Sequence, residues 1–417
     1  MVRDGRIVWF GKGTPATPLS DPHACLDGEG CLALPGFINA HSRLSRTLAR
    51  GWGLPQPDRV VAGGEFARFW ERYDTLLDYD ALRYAFLLAG LEAIRNGTTT
   101  IFDLLSVAQD PALALDAAAE AATQLGLRLN VSLAVSDRNG AEGGRRMVDD
   151  VLLFMAKASA YPLLSASMGL DSCVQLSDGT LSYAVGSAGI AQTGFHSVVG
   201  ESYVAGLDCL KRFNMLPAVR LSHWGVLSRR TILTGALYCT AAERELLNRS
   251  GSWLVNCPRA NLMSGSGTMP VFELLAEGQN VGLGSAWFDY DMPAEALAGA
   301  SAQIYQCATD QAAIIEHSAG FMIANNARLA NTMLRQEIGA LRVGAAADII
   351  LLRFNHLEPD DYPALLRLLL LGRAGWQVQS TVIGGELVYH NRRFVAIDDE
   401  HIRAHAREAT LRLRAQF

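Results

Sequence analysis

Apolar and polar positions along the chain fall into two kinds of segment. Short apolar, β-branched runs alternate with longer stretches in which apolar residues return every three or four positions. The clearest helical pattern covers 80–96, where Leu82, Ala85, Phe86, Ala89 and Ala93 share one face. Asp80 can cap its start, and Asn96-Gly97 supplies a left-handed stop. The pattern runs directly into Thr98–Phe102, a β-branched strand that ends on Asp103. Strand-like runs follow at Leu129–Val135, Leu163–Met168, Ser197–Val199, Ala218–Leu221, Trp253–Val255 and Val281–Leu283. Several stop on polar residues: Asp137-Arg138, Asp171-Ser172, Glu201, Asn256 and Ser285. Helical patterns at 110–125, 241–249 and 270–277 lie between them.

Strands that alternate with helices build a parallel sheet covered on both faces. Polar residues gathered at the C-terminal ends of strands mark the active-site face of a (β/α)8 TIM-type barrel. An open doubly wound sheet gives the same alternation, so periodicity alone leaves both. The two ends of the chain differ from its middle. Residues 3–34 read as hairpin-like strands, and 338–396 repeat that flavour through Ala347-Asp348-Ile-Ile-Leu-Leu and Thr381–Tyr389. The expected organisation is a small composite β-sandwich domain from 1–34 and 338–398, a barrel over 35–337, and a closing amphipathic helix over 399–417.

Composition narrows the function classes. A chain of 417 residues that is 50% hydrophobic and 19% charged has ample core for a barrel and a satellite domain. A net charge of −6 without a Lys/Arg-rich run argues against a nucleic-acid partner. The most apolar stretch, Ala364 to Gly372, is short and holds Arg367, so no membrane span is expected. Met1-Val-Arg-Asp-Gly resembles neither a signal nor a transit peptide, which gives a cytoplasmic expectation. Cys25, Cys31, Cys173, Cys209, Cys239, Cys257 and Cys307 are scattered without a Cys-x-x-Cys pair and read as reduced, mostly buried thiols. Ser264-Gly265-Ser266-Gly267 lacks the Lys-Ser/Thr of a phosphate loop, and no Gly-x-Ser-x-Gly elbow occurs.

Several segments, in one order, resemble the amidohydrolase superfamily, in its branch of cytosine, guanine and s-triazine deaminases and hydrolases. Among these the chain is most similar to SsnA-type aminohydrolases. Leu34-Pro35-Gly36-Phe37-Ile38-Asn39-Ala40-His41 resembles the family's first barrel strand and Gly97-Thr98-Thr99-Thr100 its second. Ser136-Asp137-Arg138-Asn139-Gly140 is similar to an SsnA-type segment, Pro258-Arg259-Ala260-Asn261-Leu262 to the family's Pro-Arg-Ser-Asn-Met turn, and Val281-Gly282-Leu283-Gly284 to its last strand. The resemblance implies a divalent metal held by a His-x-His pair, a third His and an Asp, with a further His and a Glu moving protons.

The chain departs from that pattern at most positions. The pair reads His41-Ser42-Arg43, so Arg43 stands at the second ligand position. The next motif reads Gly194-Phe195-His196-Ser197-Val198-Val199-Gly200-Glu201, which puts Val198 at the third ligand position and keeps Glu201 as the proton-transfer carboxyl. In Thr234-Gly235-Ala236-Leu237-Tyr238, Gly235 stands at the proton-shuttling His. In Gly282-Leu283-Gly284-Ser285-Ala286-Trp287, Ala286 replaces the ligand Asp. A site left with one imidazole has little affinity for a dication. No metal and no cofactor are therefore expected.

From these substitutions the expectation is a catalytically inactive family member with a structural or regulatory role. Its partner would be a second copy, an active paralogue or another enzyme subunit. The first alternative is a hydrolase or deaminase acting on carbon–nitrogen bonds of a small heterocycle, and the second is a small-ligand binding module. Candidate pocket residues are Arg43, Asp103, Asp171, His196, Arg259, Asn261 and Trp287. Arg43 is expected to pair with Glu201 across the emptied centre, because a buried carboxylate without a partner is costly. Alternatively Arg43 turns to solvent. Trp287 either fills the cavity or stacks on a planar ligand. The resemblance also implies further residues ahead of Asp4-Gly5-Arg6-Ile7. The expectation is a β domain short of its first strand or a start placed too late.

Overall fold

Eight short strands are rich in apolar and small residues, and most of their side chains are buried, as strands covered on both faces require. They are β1 (Phe37–Ser42), β2 (Thr98–Leu105), β3 (Arg128–Leu133), β4 (Leu164–Gly169), β5 (Phe195–Val199), β6 (Thr231–Gly235), β7 (Trp253–Asn256) and β8 (Asn280–Leu283). In the computed structural model, which describes residues 1–13, 25–55, 64–307 (the Cys307 side chain excepted), 310–355 and 357–417, each strand pairs in parallel with the next. The fold is a (β/α)8 barrel, the one of the two architectures left by the alternation that the polar strand ends and the family resemblance favour.

The barrel closes between β1 and the residues after β8. Ser285 and Ala286 donate to the His41 carbonyl at 3.0 and 3.1 Å, and the Arg43 amide donates to the Ala286 carbonyl at 2.7 Å. Side-chain amides complete the seam. The Asn326 amide nitrogen donates to the Ile38 and Leu283 carbonyls at 2.6 and 2.8 Å, and its oxygen accepts from the Leu283 amide at 2.9 Å. Asn326 is fully buried, so replacing it with Leu leaves three backbone groups without partners. Asn326→Leu is expected to destabilise the fold by about 2–4 kcal/mol, from the cost of orphaned buried polar groups. Urea unfolding measures it, and a loss below about 0.5 kcal/mol would contradict this account of the seam.

A five-stranded antiparallel sheet stands beside the barrel, in the order Arg393–Phe394, Glu386–His390, Trp376–Ile383, Ile349–Phe354, Cys31–Pro35. A small hairpin, Val2–Arg3 with Arg6–Ile7, bridges to Ala346. Arg128 at the start of β3 ties this layer to the barrel through two bonds to Asp348, at 2.9 and 3.1 Å, with both side chains buried. The closing helix Asp399–Gln416 buries Ile402, Ala406, Ala409 and Leu413, one stripe at helical spacing.

Two local readings differ from the sequence pattern. Ala218–Leu221 lies inside a helix, Pro217–His223, because Pro217 at its first position fixes a helical φ and removes no needed donor. The strand in that part of the chain is β6, whose Thr-Ile-Leu-Thr run follows the polar turn Ser228-Arg229-Arg230. The helix after the β1 region runs Tyr79–Arg95, and its cap is Asp78, which accepts from the Ala81 amide; Asp80 sits in the first turn. Among the described residues no helix is long and apolar enough to cross a membrane.

Candidate functional site

The C-terminal ends of the strands open into a cavity of about 610 Å³. Its wall takes His41 and Arg43 from the end of β1, Asp171 after β4, Val198 and Glu201 from β5 onward, Gly235 at the end of β6, Cys257 after β7 and Ala286 after β8. All four positions where the family pattern would hold a metal therefore face one space, as do both proton-transfer positions. Among the candidate pocket residues, Arg43, Asp171, Asn261 and Trp287 line it.

The other three lie outside that lining, each for a local reason. Asp103 is fully buried and accepts from the Ser42 hydroxyl at 2.8 Å and the Leu44 amide at 2.7 Å, anchoring the turn that leaves β1. Burial drives its carboxyl up to about 6 despite those bonds. His196 sits behind His41, with its Nε2 at 2.8 Å from His41 Nδ1. Arg259 is committed to Glu295 at 2.8 Å and to Asp289 at 2.7 Å, so it pins the Pro258–Met263 turn and does not reach a ligand.

Burial weighs against charge on both imidazoles. Burial pushes His41 well below the usual range, with His196, Arg43 and Arg46 adding to it; burial, then Arg43, takes His196 down to about 3. One ring nitrogen of each is used in their mutual hydrogen bond, and His196 Nδ1 is buried without a partner. Among the described residues, no group of three or more His, Cys, Asp or Glu comes together that could hold a metal ion. The donor set of His-rich centres, with ligands at about 2.0–2.2 Å, is not what these residues form.

Arg43 does not pair with Glu201. Its Nη1 donates to the Ser106 hydroxyl at 2.5 Å, and among the described residues no carboxylate lies within 4.0 Å of it. The charge still acts at longer range, because Arg43 works against the rise in the Glu201 pKa. Burial and then the Asp171 carboxylate win, taking Glu201 up to about 7. Asp171 itself is held by Arg138 at 3.0 Å and by the Ser172 amide at 2.9 Å.

Gly235 has a backbone reason for being glycine. Its φ is +95°, and a Cβ there would lie 2.5 Å from the Val199 carbonyl oxygen. A histidine fits that position only if the backbone after β6 moves. Gly235→Ala is expected to lower stability by about 1–3 kcal/mol, the usual range for such strain, read as a fall in thermal midpoint. An unchanged midpoint would contradict the crowding.

Residues without a motif complete the wall. Phe66 and Trp70, from the helix Glu65–Leu76, meet Trp287 at ring-centre distances of 6.3 and 5.5 Å and form an aromatic side. Trp287 is only 7% exposed, so it both fills space and presents one edge to the cavity. Arg46, from the turn Leu44–Ala49, adds a second guanidinium, placed 4.3 Å above the Trp70 ring. Helical spacing marks these side chains only as core or surface, so no sequence signal singles them out.

Known proteins match this chain over nearly its full length. A 5-methylthioadenosine/S-adenosylhomocysteine deaminase of Desulforudis audaxviator is 26% identical, with 99% of this chain and 94% of that protein covered. A 5'-deoxyadenosine deaminase of Methanobrevibacter smithii is 25% identical, with 92% and 87% covered. Among solved structures, the zinc complex of atrazine chlorohydrolase from Arthrobacter aurescens superposes with a TM-score of 0.83 at 21% identity, covering 98% of this chain and 94% of that one. A zinc-bound adenosine deaminase from Xanthomonas campestris gives 0.80 at 22% identity, covering 93% and 87%. With a model of the Amidohydrolase family matching residues 32–388, the chain belongs to that family.

Proposed function

We propose that the chain is a deaminase that hydrolyses the exocyclic carbon–nitrogen bond of an amino-substituted nitrogen heterocycle. The expectation of an inactive homologue is corrected by the curated relatives, which match along nearly the whole chain and are named as deaminases. The expectation of no cofactor is corrected by the zinc in the solved family members, which points to a metal. The described residues do not supply that metal's usual donor set, so the chemistry below is derived from this chain's own groups.

The observation that carries the reading is Glu201, on the cavity wall with its carboxyl drawn up to about 7. A carboxyl poised there both takes and gives a proton near neutral pH. As carboxylate, Glu201 removes a proton from water as the water oxygen bonds to the ring carbon bearing the amino group and the adjacent ring C=N π bond opens onto the ring nitrogen. As acid, it returns that proton to the amine nitrogen. The carbon–nitrogen bond then breaks, ammonia leaves with its electron pair, and the oxygen's remaining proton passes to the ring nitrogen as the oxygen becomes a carbonyl. The aromatic side of the cavity suits a flat ring, whose stacking on Trp287 or Trp70 contributes about 0.5–1.5 kcal/mol beyond area burial.

The test is ammonia release by purified protein across aminopurines, their nucleosides, aminopyrimidines and amino-s-triazines. At least one is expected to turn over with kcat/KM of about 10⁴ M⁻¹ s⁻¹ or more. Silence across the whole panel would contradict the proposal.

A further inference from the structure

We propose that Arg43 and Arg46 form a carboxylate-binding subsite in this cavity, so that the heterocycle it receives carries a carboxylate; this rests on the deaminase reading above. Both guanidiniums line the same space, and among the described residues neither has a carboxylate within hydrogen-bonding distance. Arg43 has the Ser106 hydroxyl as its bond and no carboxylate within 4.0 Å among the described residues. Arg46 stands 3.7 Å from Asp74, too far for a hydrogen bond, and its Nε is buried without a partner.

Apart from Glu201, the other charged side chains on the wall lean on partners of their own, Glu71 on Arg138 at 3.9 Å among them. Asp171 is held by Arg138 at 3.0 Å, and Arg212 by Asp208 at 3.6 Å near solvent. With Asp74 set against Arg46, Arg43 is the guanidinium on this wall without a carboxylate partner among the described residues, which fits a monoanion. A phosphate's second charge would face Asp74 and Glu201 uncompensated. Arginine forks match the two oxygens of a carboxylate in a plane, and charge-assisted bonds of this kind are about twice as strong as neutral ones. The aromatic side made by Phe66, Trp70 and Trp287 then holds the ring that carries the group.

Calorimetric titration of the full chain with benzoate and with benzamide tests this without any turnover. Benzoate is expected to bind about tenfold or more tightly than its uncharged twin. Arg43→Met and Arg46→Met should each erase that preference, and Arg43→Lys should retain part of it. Arg43 is partly exposed to the cavity, so its variants report even where Arg46→Met fails to fold. Equal affinity for the two probes, or a preference that survives Arg43→Met, would overturn the subsite. A benzoate preference in a protein that releases no ammonia from any heterocycle would instead leave the subsite standing and remove the deaminase reading.

Discussion

Glu201→Gln is expected to lower kcat for deamination by about 10²–10⁴-fold, the usual contribution of a positioned acid–base group, while KM changes little. Gln keeps the shape and one hydrogen-bonding oxygen of the side chain but can carry no proton. Glu201 faces the cavity, and its carboxyl is held up by burial and by Asp171. Removing that charge relieves a desolvation penalty, so the variant should be at least as stable as the parent. An activity loss without a stability loss separates a chemical role from a structural one. Retention of more than about a tenth of the parent rate would show that the proton moves elsewhere.

The second large effect is the pH profile. A base acting as carboxylate is present above its pKa and lost below it. With Glu201 at about 7, kcat/KM should rise about tenfold per pH unit through the acid limb and level off above about 7. An ordinary carboxyl would place that limb near 4.5, the value from which burial raises this one. Asp171→Asn removes the second cause of the rise, so the limb should move to lower pH. A limb that stays in place in Asp171→Asn, or a rate flat between about pH 5 and 8, would contradict the electrostatic picture.

The stability of the fold carries the same sign for Asp103. Its folded pKa, about 6, lies above the ordinary value of 3.8, so the folded state binds the proton more tightly than the unfolded one. The contribution is therefore most favourable below about pH 4 and is lost as pH rises through 6. Unfolding free energies of the parent and Asp103→Asn, compared between those limits, should diverge as pH rises. Parallel curves would remove the effect.

Alternating periods left a barrel and an open doubly wound sheet both standing; the family resemblance, with polar strand ends such as Asp171 and Glu201 that do face the cavity, pointed to the barrel. What periodicity could not decide is a short apolar run. Ala218–Leu221 carries one β-branched residue against three in Thr231–Gly235, and the proline at 217 opens a helix there. The positions of Arg43, Val198, Gly235 and Ala286 came from the resemblance to the family's motifs, and all four line the cavity. Side chains from helices were invisible. Arg46, Phe66 and Trp70 reach the site from segments that read as ordinary core, and their convergence depends on tertiary packing. The Arg43–Glu201 pairing failed because Ser106 offers the guanidinium a nearer partner. Loss of metal-ligand positions weighed toward inactivity, and similarity to deaminases along nearly the whole chain corrected that weight.

Hydrolysis at an exocyclic nitrogen leaves one mark that no binding or structural role can imitate. Incubation in ¹⁸O-labelled water with the heterocycle panel should give ammonia and a product whose new carbonyl oxygen carries the label. The Glu201→Gln variant should give neither within the same period. Absence of label from the products of the parent protein, or label at equal rates in parent and variant, would contradict the assignment of this cavity and its carboxyl to deamination.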